Sequence, residues 1–120
     1  MFIRNKNYDN AIQKVRIEVG TLVGLEKDDE AYIVLKELPT QEMLALKSAS
    51  EAGEEAIMNF FKQVLPKIMA DHNFYETEQK KMTNEAVTDL IFEKLDLSSK
   101  VISSYSNAAF FTQASKRENK

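Results

Sequence analysis

The stretch EEAIMNFFKQVLPKIMADHN, residues 54–73, decides the fold because its apolar side chains recur at helical spacing. At about 100° per residue they form a stripe roughly 180° wide on one side of a helix. A stripe of that width predicts a central helix that contacts two or more neighbouring elements. Pro66 falls in the middle of the polar side, where a proline bends a helix convexly toward water. We therefore predict one bent central helix, with two helices abutting at Pro66 as the alternative.

The composition limits the class of protein. The chain has 120 residues, 43% of them hydrophobic and 29% charged, which favours one globular domain spanning residues 1–120. A net charge of −3 and scattered basic residues argue against a dedicated nucleic-acid binder. Without cysteine there can be no disulfide and no thiolate metal site, which is consistent with a reducing cytosol. The first ten residues lack the apolar core of a signal peptide, and no apolar run approaches the roughly 18 residues of a membrane span. We expect a soluble, acidic, intracellular protein.

The N-terminal third predicts a β-hairpin over residues 12–37, preceded by a loose polar arm over residues 1–11. Apolar residues alternate with charged ones in the first predicted strand, at Val15, Ile17 and Val19. The return strand is the β-branched and aromatic run YIVL, residues 32–35. Gly20 and Gly24 indicate a bend or bulge between the two strands, and the charged run EKDDE indicates a turn.

The rest of the chain predicts a helical part over residues 38–114 and a charged, frayed tail over residues 115–120. Cap and breaker residues mark the helix boundaries, with N-caps expected at Thr40, Thr83 and Ser98 and a break at Gly53. Residues 74–81 are predicted to be a connector. The predicted fold class is α+β, mostly α, with an N-terminal β-hairpin followed by about four helices packed on the bent central helix.

Residues suited to catalysis or metal binding are few. His72, the only histidine, is a conceivable base or ligand, but its position favours a helix C-terminus, where the dipole attracts a histidine. One histidine without cysteine matches no zinc-ligand spacing, and the serines lack a nucleophile elbow. Gly20-x-x-x-Gly24 fits no phosphate-binding loop, and Asp28-Asp29-Glu30 reads as a solvated turn. We predict no catalytic residue, no metal, no cofactor and no enzymatic activity.

Three adjacent aromatic pairs are the stronger candidates for function: Phe60-Phe61, Phe74-Tyr75 and Phe110-Phe111. We expect a broad core to bury Phe60-Phe61. For the other two pairs, burial and an exposed patch for a partner protein are both open. No basic residues interleave with them, so nucleic-acid stacking is not expected. The predicted partner-binding residues are Phe74, Tyr75, Tyr105, Phe110 and Phe111.

The order of features carries a family resemblance. A short hairpin leads into YIVLKELPTQEMLAL, followed by FFKQVLPKIMADHNFY, KKMTNEAVTDLIFEKL and a closing helix that ends in NAAFF. This order resembles the tail assembly chaperones of long-tailed bacteriophages and of related prophage or tailocin clusters. The similarity is carried by the strand leading into Glu37-Leu38, by the Asp71-His72-Asn73-Phe74 corner and by the helix start at Met82-Thr83-Asn84-Glu85. It covers about residues 15–111, and the family has no catalytic signature.

The resemblance implies a function in assembly. Such chaperones act in the host bacterial cytoplasm, bind the long, largely helical tape measure protein, help to recruit the tail tube protein and are absent from the finished particle. Many have a longer, frameshifted form, and a homo-oligomer such as a ring or stack is left open. Two alternatives remain at this point: a small structural or adaptor protein of the tail, and a regulatory, antitoxin-like binding protein that uses its acidic turn.

Overall fold

A computed structural model describes residues 1–25 and 30–108 of the chain. Within these ranges the fold is α+β and mostly α, with an N-terminal hairpin followed by helices, as predicted. In chain order the elements are α1 (Lys6–Ala11), β1 (Lys14–Glu18), a 3-10 helix (Gly20–Val23), β2 (Tyr32–Lys36), α2 (Thr40–Ala52), α3 (Glu54–Ile68), β3 (Met69–His72), β4 (Tyr75–Thr77), β5 (Lys80–Lys81), α4 (Asn84–Ile91) and α5 (Leu95–Ser106).

The predicted hairpin is confirmed. Strands β1 and β2 pair antiparallel, with Arg16 opposite Val34 at the centre and Ile17 opposite Ile33 beside it. The alternating pattern turns Ile17 and the β2 residues Ile33 and Leu35 into the core, while the charged residues of β1 stay at the surface. The bend expected between the strands is the 3-10 helix, which ends at Gly24 in a left-handed conformation (φ 85°) that favours glycine. Residues 26–29, which include Asp28 and Asp29 of the predicted turn, lie outside the described residues.

Helix α3 is continuous through Pro66, so the alternative of two abutting helices is wrong. Its apolar stripe buries Phe61, Val64, Leu65 and Ile68, and the helix packs against α2, α4 and β2. The Phe60 ring meets the Phe61 ring edge to face at 5.2 Å and is itself partly buried against the core, which confirms the expected burial of this pair. The bend at Pro66 remains a prediction.

The prediction that the central helix extends to Asn73 is wrong. Helix α3 ends at Ile68, and residues 69–72 form β3, which pairs antiparallel with the second edge of β2. The order of the sheet is β1-β2-β3. The backbone groups along that edge of β2 would otherwise lack partners, and pairing with β3 satisfies them. A bulge opposite Val34 and Leu35 lets both Met69 and His72 face the core.

Two segments predicted to be irregular contain secondary structure. Residues 6–11 of the expected loose arm form α1, because the Asn5 side chain caps it by accepting from the Asn7 and Tyr8 amides at 3.0 and 3.3 Å. The expected connector contains β4 and β5, which pair as a small hairpin. Residues 38–114 are therefore not purely helical, since β3, β4 and β5 lie among the helices.

The predicted helix starts have mixed outcomes. Thr83 is the N-cap of α4 and accepts from the Ala86 amide at 3.1 Å, as expected. Thr40 is the first residue of α2, and Pro39 occupies its cap position. Ser98 lies inside α5, where its hydroxyl donates to the carbonyl oxygens of Lys94 and Leu95, so the helix begins one turn earlier than predicted. Gly53 separates α2 from α3, as predicted.

Candidate functional site

A groove of about 550 Å³ lies where β2 passes into α2. Leu38, Val64 and Ile68 line its base, and all three side chains are almost fully removed from solvent. The first comes from the β2–α2 connection, and the other two lie one turn apart on the apolar stripe of α3. Tyr8 of α1 and Ile12 close the other side. The groove is thus built from three separate parts of the chain.

The rim of the groove carries charges of both signs. Arg4, Lys36 and Lys67 contribute positive charge, and Glu37 and Glu42 contribute negative charge. The Arg4 guanidinium is 3.4 Å from the Asp9 carboxylate and lies over the Tyr8 ring at 5.1 Å, two contacts within the N-terminal segment. Because both partners of that ion pair are exposed, it orients Arg4 more than it stabilises the fold. An apolar base with a charged rim suits an amphipathic ligand.

The groove is lined by neither histidine nor cysteine. Its two carboxylates, Glu37 and Glu42, share the lining with the Thr40 hydroxyl and the Lys36 amine. Across residues 1–25 and 30–108, no group of three or more His, Cys, Asp or Glu side chains is placed to hold a metal ion.

Tyr105, one of the predicted partner-binding residues, is fully buried, so the prediction that it faces a partner does not fit the fold as it stands. Its hydroxyl donates to the Lys36 carbonyl oxygen at 2.7 Å, and its ring packs edge to face against Phe61 at 6.0 Å. Burial raises the pKa of the Tyr105 hydroxyl. Because Lys36 lines the groove, Tyr105 supports the groove wall from behind.

The Phe74-Tyr75 pair is divided between core and surface. Phe74 is only 8% exposed, so of the two alternatives left open for this pair the structure has burial at this residue, and a contact of Phe74 with a partner does not fit the closed corner. Tyr75 is 53% exposed, as expected for a surface contact. Phe110 and Phe111 lie outside the described residues. Neither Phe74 nor Tyr75 lines the groove, so Tyr75 marks a second candidate surface, and its binding role stays a prediction.

His72 has a structural role different from the expected one. It lies in β3 and not at a helix C-terminus, and its side chain is buried, with only 3% exposed. Its Nδ1 accepts a hydrogen bond from the Phe74 amide at 3.0 Å. Burial of the ring and then the nearby Lys81 ammonium hold the pKa of His72 below its ordinary value. The lone pair of Nδ1 is therefore already used in a hydrogen bond that holds the backbone.

The next residue of this corner, Asn73, joins β3 to the start of β2. Its Oδ1 accepts from the Tyr32 amide at 2.8 Å, and its Nδ2 donates to the Glu30 carbonyl oxygen at 2.9 Å. The side chain therefore continues the β2–β3 ladder by one residue after the strand itself has ended. The side chains of the Asp71-His72-Asn73-Phe74 corner thus hold the backbone at the end of β3 and the start of β2 in place.

Sequence reasoning missed the groove. Its lining residues are up to 64 positions apart in the chain, from Arg4 to Ile68, and no local pattern links them. One signal was present: Asn5 before a short polar segment is a common helix start, which would have placed Tyr8 on a helix.

Comparison with known proteins adds no relative. No family model, curated protein or solved structure matches the chain. In the part of the chain that the structure describes, none of the helices has both the length and the apolar character needed to cross a membrane.

Proposed function

We propose that this chain is a phage tail assembly chaperone, a non-enzymatic protein that binds a helical segment of the tape measure protein. The family resemblance of the sequence is the basis for the partner. The groove at the β2–α2 junction is the observation that supports a binding mode, because it combines an apolar base with a charged rim. In this proposal the chaperone acts in the host bacterial cytoplasm, helps to recruit the tail tube protein and leaves before the particle is finished.

The shape and polarity of the groove favour an amphipathic helix as the occupant. A helix presents apolar side chains three and four residues apart on one face, which suits a base formed by Leu38, Val64 and Ile68. The charges that flank such a stripe then meet Lys67 on one element of the rim and Glu42 on another. Opposite signs at the rim favour one direction of the bound helix over the other.

The net charge fits a protein that coats a long partner. Each copy carries −3, so neighbouring complexes repel one another and association between coated molecules is reduced. The effect weakens with salt, because exposed charges are screened beyond about 8 Å at physiological ionic strength.

Co-expression with the tape measure protein tests the proposal. The soluble yield of that protein should rise when the wild-type chain is present. The double charge reversal Lys67→Glu with Glu42→Lys changes two rim residues and should reduce the gain, because both charges of the bound helix then meet their own sign. The matched control Lys62→Glu with Glu51→Lys alters the same two helices at exposed positions outside the groove and should keep the full gain.

Two outcomes would count against the proposal. If the wild-type chain gives neither a complex nor a higher soluble yield, the partner is wrong. If the chain is found by mass spectrometry in purified particles, it is a structural or adaptor protein of the tail instead of a chaperone.

A further inference from the structure

The corner after β3 holds the segment of residues 74–82 through a single buried ring. The Phe74 amide donates to Nδ1 of His72 at 3.0 Å, and the Met82 amide donates to the Phe74 carbonyl oxygen at 3.0 Å. The imidazole therefore holds the start of the segment directly, and the end of the segment through the backbone of Phe74. Its ring also packs edge to face on the Phe74 ring, with 6.2 Å between centroids.

Beyond this base, the segment has little to hold it in place. All seven residues from Tyr75 to Lys81 are exposed, and β4 and β5 form a two-stranded sheet separate from the main one. An isolated two-stranded hairpin is marginally stable in water. Its surface ion pairs, Lys81 with Asp71 at 2.9 Å and Lys80 with Glu76 at 3.1 Å, lie in solvent and add little. The order of this segment therefore depends on the buried contacts of His72, Phe74 and Met82.

Protonation of the ring would remove one of those contacts. In the neutral ring, Nδ1 offers a lone pair to the Phe74 amide. A proton taken up from solvent at Nδ1 converts that acceptor into a donor, so two N–H groups then point at each other. Within the described residues, the charged groups that act on the ring are Lys81 of β5, which opposes its positive charge, and Asp71 of β3, which favours it.

We propose that His72 is a proton-operated latch, whose protonation at Nδ1 releases residues 74–82 and exposes the Phe74 side chain. The latch stands on the geometry of the corner and does not depend on the groove or on the identity of the partner. When it opens, Phe74 joins the exposed Tyr75 and the two form an apolar pair at the surface. The latch is therefore a device that controls the exposure of one aromatic side chain.

The direction of the pH dependence follows from burial. The closed corner holds the pKa of His72 below the ordinary value near 6.5, whereas the released ring regains that value. The latch is then closed above about pH 6.5. As the pH falls from there toward the closed-state pKa, the ratio of open to closed forms rises by up to about tenfold per pH unit. His72 is the only histidine, so few other groups titrate in this window.

Amide hydrogen exchange of the full chain by NMR, corrected for intrinsic rates, tests the latch between pH 7.5 and 5. The Phe74 and Met82 amides should lose protection as the pH falls, and the midpoint of that loss should equal the midpoint of the His72 ring titration. The Leu65 amide in α3 should keep its protection. Unchanged protection at Phe74 and Met82 would overturn the proposal. Equal loss at Leu65 would also overturn it, because the event would then be global unfolding.

Charge variants separate a latch from a merely structural histidine. Lys81→Gln should raise the midpoint, because it removes the charge that opposes the imidazolium, and Asp71→Asn should lower it. Lys80→Gln is the matched control and should leave the midpoint unchanged. His72→Gln keeps an acceptor without a titrating group and should make protection independent of pH. If His72→Gln does not fold, the test rests on the variants Lys81→Gln and Asp71→Asn. The latch is refuted if these two substitutions do not move the midpoint in opposite directions.

Discussion

Replacement of Tyr105 by Phe tests how the last described helix is fixed to the hairpin and the groove. The substitution keeps the buried ring and removes only the hydroxyl that donates to the Lys36 carbonyl oxygen at 2.7 Å. A hydrogen bond of this kind contributes about 0.5–1.5 kcal/mol net, and a buried carbonyl left without a partner costs about 1–3 kcal/mol. Since Lys36 is partly exposed, water reaches some of that carbonyl, and we expect a loss of about 1–2 kcal/mol in the free energy of unfolding.

Urea denaturation followed by circular dichroism measures this loss. With a slope of about 2 kcal/mol per molar urea, the midpoint should fall by roughly 0.5–1 M. Tyr75→Phe is the matched control, because it removes the same hydroxyl from a side chain that is 53% exposed, and it should change stability by less than about 0.5 kcal/mol. Equal effects of the two substitutions would refute the argument that the Tyr105 hydroxyl joins α5 to the end of β2.

Three further predictions concern the other junctions of the fold. Asn73→Ala should cost about 1–3 kcal/mol, because it removes both hydrogen bonds to the start of β2, whereas Asn59→Ala on the exposed face of α3 should cost almost nothing in the same urea titration. Gly53→Ala should lower stability by about 1–3 kcal/mol through backbone strain at φ 122°, since nothing within 4 Å obstructs the new methyl group; a neutral result in calorimetry would contradict this. The free energy of unfolding should decrease as the pH falls below about 6.5, because His72 binds a proton more readily in the unfolded chain than in the folded one. In thermal melts, His72→Gln should remove that part of the pH dependence.

Periodicity predicted the elements whose residues alternate or repeat clearly. Val15, Ile17 and Val19 alternate with charges, and the structure has β1 over the first two of them, with Ile17 and the next apolar residue, Val19, in the core. The stripe of α3 was equally readable, including its continuity through Pro66, because the helical spacing puts the proline outside the apolar stripe.

The end of α3 was not readable from local pattern. Met69 continues the apolar stripe of the helix, and the polar residues Asp71-His72-Asn73 are typical of a helix end, so the sequence predicts a helix through Asn73. What decides the conformation of residues 69–72 is the open edge of β2, 34 or more positions earlier in the chain, where they complete a sheet. A pairing partner that distant overrides helix propensity, and one sequence read on its own does not reveal it.

For the Phe74-Tyr75 pair the sequence left burial and exposure open, and the structure has one of each: Tyr75 is exposed, whereas Phe74 lies in the core with its amide bonded to the His72 ring. Adjacent residues of an extended chain point to opposite sides, so an aromatic pair at such a corner is divided between core and solvent. The groove could not be predicted, since its base and rim meet only after α1, the β2–α2 junction and α3 have packed.

Site-specific photo-crosslinking tests the central claim, that the groove binds the helical partner, most directly. A photoreactive phenylalanine analogue replaces Tyr8, which lines the groove and is 41% exposed, or Tyr75, which lies away from it and is 53% exposed. In complexes with the tape measure protein, we predict crosslinks from position 8 and few from position 75. Crosslinks from position 75 without any from position 8 would contradict the groove and place the binding surface at the β4–β5 hairpin.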